Sequence, residues 1–393
     1  MDASLYAEIL SDKNIIDLKK IGYKYPDADM KELIKLFKSS VYKTLQITDF
    51  NGNDIAYMEN IAQIRMNAIK LLLTPQSPHN SFGLQAMEDE ITSTLTIENI
   101  DFNRDSVKKI LQGYAPADEQ EGRIYGMKKG LDFIADPSNT ISEENVFALY
   151  DMAIGRYLDS GDKLNPGEKY RHDTVFIMGQ GIEHTGLPYR KLPEYMQRFI
   201  AFIKQENPMN DLTKAAAIHF YFAYLHPYFD GNGRMARLMH MWFLRQQGYS
   251  SALFVPLSGY IERSRKQYYN AYTLAEENAK ISNVLDITPF LLYFIEHVYN
   301  KLDTAMPNPG TLSIFNQALE NGIITEKEKE LWNFTLSAYG NGEFSTKQLE
   351  RDYKNAAYAT IRKFVLKFTE LGLLKPQKYS SKVKYAIKQG DGA

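Results

Sequence analysis

The sequence contains no cysteine. Disulfides and thiolate metal sites are therefore excluded, and a reducing compartment suits the chain. Net charge is also scarce, at −2, which excludes a wholly basic nucleic-acid binder but not a local patch. No apolar run approaches the roughly 20 residues that a membrane-spanning helix needs. The densest near the end, 287–298, contains Pro289 and Glu296 and reads as a buried helix. The first residues, Met-Asp-Ala-Ser-Leu-Tyr-Ala-Glu, have no basic start, so no secretory signal is expected. These absences predict a cytoplasmic protein with no membrane association. The remainder, 44% hydrophobic and 24% charged over 393 residues, is the balance of a globular chain with two or three domains.

One stretch stands out. Residues 226–237 read His-Pro-Tyr-Phe-Asp-Gly-Asn-Gly-Arg-Met-Ala-Arg, with apolar, helix-like sequence on both sides. Gly248 ends the second apolar segment as a helix terminator. The pattern predicts a helix–loop–helix with Gly231, Asn232 and Gly233 as the loop. Glycines there permit backbone angles that aim successive N–H groups at one point, and the following helix adds its positive end. Arg234 and Arg237, three apart, share a helix face. Two guanidiniums beside such a nest suit a polyphosphate. Asp230 is placed to hold Mg²⁺ on bound phosphates, and His226 to take a proton from an incoming hydroxyl. These are the parts that transfer from a nucleoside triphosphate requires.

These residues resemble the Fic family, whose signature is His-x-Phe-x-(Asp or Glu)-Gly-Asn-Gly-Arg-x-x-Arg. The match holds at His226, Asp230, Gly231, Asn232, Gly233, Arg234 and Arg237. It departs at Tyr228, where Phe is usual; a Tyr should pack alike if its hydroxyl finds a partner. The resemblance implies a mainly α fold, a helical Fic-type bundle with a small β-hairpin flap. It also implies AMP transfer from ATP with Mg²⁺, and His226 as the base toward a Ser, Thr or Tyr hydroxyl of a target protein. Gly233 matters to that reading, because a branch with Lys at the position transfers phosphate instead.

The resemblance also assigns residues that spacing alone would leave bland. Thr94, Glu98 and Asn99 fit the family's (Ser or Thr)-x-x-x-Glu-(Gly or Asn) inhibitory helix. Glu98 would pair with Arg237 and so block the productive pose of the nucleotide. Thr174–Met178 has strand composition between turn signals and predicts a hairpin. The resemblance makes Val175, Phe176, Ile177 and Met178 a flap that docks the target's backbone, with an ordinary surface hairpin as the alternative. Tyr269 is the family's candidate against adenine, and Tyr268 a core residue. An Asn often reads the base further on, where this chain has Glu276, with Asn278 nearby.

The rest is scaffold. Residues 1–89 read as an N-terminal helical region, including a helix over 54–73 after an Asn51-Gly52-Asn53 turn. The Fic-like domain is expected over 90–300, with helices at 101–113, 122–134, 142–158 and 262–278 and an apolar strand at 252–257. A Pro-containing linker is expected over 301–310. Residues 311–393 read as three helices and a hairpin, the winged-helix pattern. From 351 to 393 there are ten Lys/Arg against three Asp/Glu. That charge suggests DNA contact through 351–388, with Arg362 and Lys363 as test positions. The alternative is a protein-contact or dimerisation module, which would make the chain a homodimer. Two rival functions stand beside AMP transfer: a DNA-binding regulator that senses nucleotide through its Fic-like part, and removal of AMP from modified proteins.

Overall fold

The computed structural model describes residues 1–73, 84–178, 182–206, 209–304, 309–339, 343–353, 355–379 and 382–388. They are mainly helical, with three two-stranded antiparallel hairpins. No helix among them is long and apolar enough to cross a membrane.

Helices α1 (Ala3–Leu10), α2 (Leu18–Lys24) and α3 (Met30–Leu36) each start at an aspartate, and the carboxylates of Asp2, Asp17 and Asp29 accept from otherwise orphaned N–H groups. They close over a small cluster of Ile9, Ile21, Leu33 and Phe37.

The next stretch corrects the expected helix over 54–73. Strands β1 (Tyr42–Thr48) and β2 (Asp54–Met58) pair antiparallel instead. Their turn is set by Asp49, whose Oδ1 accepts from the Asn51 and Asn53 N–H groups at 2.9 and 2.8 Å. Ile55 to Met58 are all buried. The helical spacing of Ile55 and Met58 is thus a by-product of a strand covered on both faces. Ala56 exchanges backbone bonds with Leu285 and Ile287, which seals β2 into the larger core. Helix begins only at α4 (Met66–Leu73).

Helices α5 (Leu84–Ile97), α6 (Arg104–Leu111), α7 (Glu119–Ala135) and α8 (Glu143–Ala153) follow. A side chain at Gly126 would collide with the Ala153 carbonyl, so glycine is what lets α7 approach α8 closely. Strands β3 (Phe176–Met178) and β4 (Ile182–Thr185) form the expected hairpin. Then come α9 (Leu192–Lys204), α10 (Asp211–Leu225) and α11 (Asn232–Gln246). Helices α10 and α11 are buried nearly all round, which is why their sequences show no polar face.

Two expectations fail beyond α11. Residues 252–257 are not a strand; Ser250–Phe254 form a short 3-10 turn and α12 (Leu257–Arg263) starts at once. The helix predicted over 262–278 is two, because Ser264 breaks it, its hydroxyl bonded to the Tyr260 carbonyl and the Tyr293 hydroxyl, both at 2.8 Å. The second piece is α13 (Arg265–Ser282), followed by α14 (Thr288–Tyr293).

The C-terminal part has its own core around Trp332, Phe364 and Phe368. It comprises α15 (Pro309–Glu320), α16 (Glu326–Tyr339), α17 (Thr346–Tyr353), α18 (Tyr358–Glu370), β5 (Leu374–Tyr379) and β6 (Lys382–Ile387). The expected linker falls partly outside the described residues, but its end at Pro309 opens α15, where proline costs no hydrogen bond. Helix α16 packs along α5.

Candidate functional site

Helix α10 stops at His226, which takes left-handed angles (φ 52°, ψ 62°), and Pro227 prevents a restart of the same helix. A non-glycine residue in this region costs about 1 kcal/mol or more. The turn must therefore be held from outside. Its holder is Arg171, whose Nε donates to the His226 carbonyl at 2.8 Å. His226 Nδ1 lies 3.3 Å from the Ala223 carbonyl, a contact that favours the Nδ1–H tautomer and leaves Nε2 as the basic nitrogen.

Tyr228 anchors the loop as expected, its ring stacked on Tyr150 at 3.5 Å and 7°. The condition on its hydroxyl is not met. It is buried with no hydrogen-bond partner among the described residues. The Asn232 amide closes the loop by clasping the Tyr228 backbone, accepting from its N–H at 3.0 Å and donating to its carbonyl at 2.9 Å. Asn232 is therefore a structural clamp first; what it offers a ligand is its backbone N–H. Gly231 sits at φ +86°, and a Cβ there would come within 2.6 Å of Ile154.

Asp230 and Arg234 face each other. Asp230 accepts from the Gly231 N–H at 2.6 Å and from Arg234 at 2.7 Å. No group of three acidic or histidine side chains among the described residues could cage a metal. A half-exposed single carboxylate fits Mg²⁺ only together with phosphate oxygens and water, the usual way this ion binds.

Arg237 is the central cation. It is 1% exposed, and its Nε donates to Thr94 Oγ1 at 2.8 Å while Nη2 donates to Glu98 Oε1 at 2.5 Å. Nη1 has no partner among the described residues. Burial works against the charge, yet Glu98, with Tyr268 and Glu90 behind it, more than offsets it and holds the guanidinium above its ordinary pKa. Both partners come from the α5 segment, on positions four apart. Asn99 takes φ +55°, and the bonds Ile100 N–H to Leu95 O and Asn99 N–H to Thr96 O complete a Schellman end. This is the physical reason for Asn after Glu98. The left-handed residue ends the helix and leaves Glu98 on its last turn. The Asn99 side chain also accepts from Arg265 at 3.0 Å.

One residue that sequence reasoning passed over sets the register of α5. Glu90, fully buried, accepts from the Ser258 N–H at 2.8 Å and from its hydroxyl, while burial pushes its carboxyl above the usual range. Glu90, Thr94 and Glu98 lie four apart, so one stripe carries the anchor to Ser258 and both partners of Arg237.

Between these groups lies a cavity of about 210 Å³, lined by Glu98, His226, Gly233, Arg237, Tyr269 and Glu276 among others. Small-molecule sites usually span about 300–1,000 Å³, so the space is small while Glu98 occupies one end. Tyr269 lines it and is 44% exposed, whereas Tyr268 is in the core with its hydroxyl 2.9 Å from His219 Nε2. Asn278 is turned away, bonded to the backbone of Ile16 and Leu18. Asp230 and Arg234 do not line this cavity; they sit at the loop beyond it. In the flap, Phe176 pairs with Thr185 and Ile177 with His184, and Val175 extends the ladder by accepting from the Gly186 N–H at 3.1 Å. The side chains of Ile177 and Met178 lie outside the described residues.

The family model described as Fic/DOC family matches residues 140–244, the segment from α8 through α11 that carries flap, loop and His226. Those residues form a Fic/DOC-family domain. It is similar to the protein adenylyltransferase Fic of Drosophila grimshawi, 30% identical over 235 residues, covering 57% of this chain and 44% of that one. The Drosophila mojavensis protein of the same name is 30% identical over 189 residues, with 47% and 34% covered. The chain thus spans less than half the length of these curated relatives. Among solved structures, a Fic family protein from Desulfovibrio desulfuricans G20 aligns with a TM-score of 0.49 at 19% identity, covering 85% of this chain and 98% of that one. Fic-1 from C. elegans aligns at 0.41 and 18%, covering 62% and 66%. Glu98, Tyr269 and the C-terminal helices lie outside the matched family segment, so their placement rests on the fold of this chain.

Proposed function

We propose that the Fic chain is a protein adenylyltransferase that moves AMP from ATP to a Ser, Thr or Tyr hydroxyl of another protein, and that Glu98 holds it in check. The observation that carries this reading is the shared placement of His226 and the Glu98–Arg237 pair around one cavity. His226 Nε2 takes the proton of the target hydroxyl as its oxygen bonds to the α-phosphorus. The bond from that phosphorus to the bridging oxygen breaks, and pyrophosphate leaves. Backbone N–H groups at the start of α11 and the guanidinium of Arg237 take up the phosphate charge. Asp230 would hold Mg²⁺, which supplies charge neutralisation on the leaving phosphates. While Glu98 keeps Arg237, that guanidinium is withheld and a carboxylate repels the terminal phosphate.

The test is incorporation of label from α-labelled ATP, with a protein extract and the chain itself as acceptors. Wild type should label weakly, Glu98→Gly strongly and His226→Ala not at all. Equal labelling by all three would remove His226 from its role. Release of AMP from labelled protein, dependent on Glu98, would favour the reverse reaction.

A second activity is proposed for residues 351–388, contact with DNA phosphates. It is supported by the exposed Arg362 and Lys363 on α18 and the exposed Lys375, Lys378 and Lys382 on the following hairpin. Anisotropy of a short labelled duplex should rise on adding the full chain, and less so with Arg362→Glu plus Lys363→Glu. Binding that ignores both substitutions would refute it.

A further inference from the structure

Arg171 stands just before the flap, and none of the chemistry above uses it. Its side chain is 2% exposed, and no carboxylate forms an ion pair with it among the described residues. Burial pushes its pKa down to about 10. With no ion pair and only the charge of nearby Asp173 acting in its favour, this buried cation is costly and depends on the acceptors that converge on it. Here the acceptors are three main-chain carbonyls. Nε donates to His226 at 2.8 Å, Nη1 donates to Asp173 at 2.6 Å, and Nη2 donates to Leu187. Its own backbone N–H donates to the Pro227 carbonyl at 3.0 Å.

The chain positions of those carbonyls give the arrangement its meaning. Asp173 is the foot of the flap's first leg, and Leu187 the foot of the second. His226 is the left-handed residue that ends α10. Gly186 completes the contact: a Cβ there would come within 2.8 Å of Arg171 Nη2 and 3.4 Å of His226 Cβ, so the second leg lies directly against both.

We infer that Arg171 is a positioning residue that ties both feet of the flap to the His226 turn, and so sets the distance between a docked target strand and the imidazole. This rests on the adenylyltransferase reading for its consequence, though not for its geometry. The planar guanidinium presents donors in three fixed directions, as three converging carbonyls require. A lysine has one nitrogen on a flexible stem and reaches fewer of them. An error of about 1 Å between reacting groups can cost on the order of 100-fold in rate.

The experiment uses the full chain carrying Glu98→Gly, alone and with Arg171→Lys or Arg171→Met. With labelled ATP and a protein extract, label in protein and free AMP are both counted. Arg171→Met should lower protein labelling about 100-fold, and lower it relative to AMP released to water. Arg171→Lys should recover part of the loss. ATP affinity measured by calorimetry should stay within about threefold, because Arg237 and the glycine loop are untouched. Independently of activity, amide exchange should quicken at Arg171 and Gly186 in Arg171→Met, while α10 and α11 keep their protection. Unchanged exchange at those two amides, or unchanged protein labelling in an active Glu98→Gly background, overturns the inference. If Glu98→Gly itself transfers nothing, the adenylyltransferase reading fails, and the exchange data still decide whether Arg171 ties flap to turn.

Discussion

The Glu98 carboxylate accepts a hydrogen bond from the Arg237 guanidinium at 2.5 Å, across 139 residues of sequence. The pair joins the end of one helix to the first turns of another. It leaves one nitrogen of a fully buried arginine, Nη1, without a partner among the described residues, beside the cavity. An anion that took the place of Glu98 would find a charged, directed and desolvated donor set. On the proposed reading, the same contact is a stabilising bond without nucleotide and would be a competitor when nucleotide arrives.

This dual role makes stability a reporter. Removing Glu98 leaves Arg237 buried with only Thr94 as a partner, a loss expected to cost on the order of 2–4 kcal/mol. Glu98→Gly should therefore melt below wild type without nucleotide. Millimolar ATP should then raise its melting temperature more than it raises that of wild type, because ligand binding adds stability in proportion to occupancy. Thermal denaturation of both proteins with and without ATP checks this. An equal shift in both would mean that Glu98 and ATP do not compete.

Gly233 is the other half of that contact. A Cβ at this position would come within 2.5 Å of Glu98 Oε1 and 3.4 Å of Arg237 Nη1. Gly233→Ala should destabilise wild type by about 1–2 kcal/mol through the displaced carboxylate. In the Glu98→Gly background the same change should cost much less, since the colliding atom is gone. A double-mutant cycle should show a coupling of at least about 1 kcal/mol. Additive losses would place the strain in the loop and not in the contact.

The candidate site was more legible in the sequence than its surroundings, and the reason is local. His226, Asp230 and Gly231 lie in the turn between α10 and α11, and Gly233, Arg234 and Arg237 on the first turns of α11, so chain order alone brings them together. Glu98 was reachable only through its family pattern, because nothing in a lone glutamate reveals a partner so distant in sequence. Arg171 and Glu90 were invisible for the same reason: each acts on backbone brought near by tertiary folding. The misread hairpin at 42–58 shows the opposite failure. A strand buried on both faces loses its alternation, and its apolar residues then imitate a helix.

Tyr228 carries an energetic cost. Its ring is fully buried against Tyr150, and its hydroxyl has no partner among the described residues, while burial holds its proton on well above the usual range. An unpaired buried hydroxyl costs about 1–3 kcal/mol, offset only partly by the packing of one extra atom. Tyr228→Phe should therefore leave activity intact and change stability by between zero and about +1 kcal/mol. Urea denaturation checks it. A clear loss of stability would reveal a hydrogen bond through an ordered water.

Acid sensitivity follows from His240 and His219, which sit in the core behind the cavity with ring centroids 5.7 Å apart. His240 bonds the Tyr299 hydroxyl at 3.0 Å through Nε2, and burial pushes its pKa down to about 3. His219 is also held well below its ordinary value, by burial first and by the neighbouring imidazole and guanidinium next. In the unfolded chain both titrate near 6.5. Between that value and about 3 the unfolded state binds more protons than the folded one, so stability is fully present above pH 6.5 and is lost as pH falls through this window. Each such histidine contributes a slope of up to about 1.4 kcal/mol per pH unit. Urea midpoints at pH 7, 6 and 5 should decline accordingly. His240→Gln should flatten the decline by up to one proton, because glutamine keeps a partner for Tyr299 without titrating. An unchanged slope in that variant would show that His240 accepts a proton without unfolding, and that the core admits water at its centre.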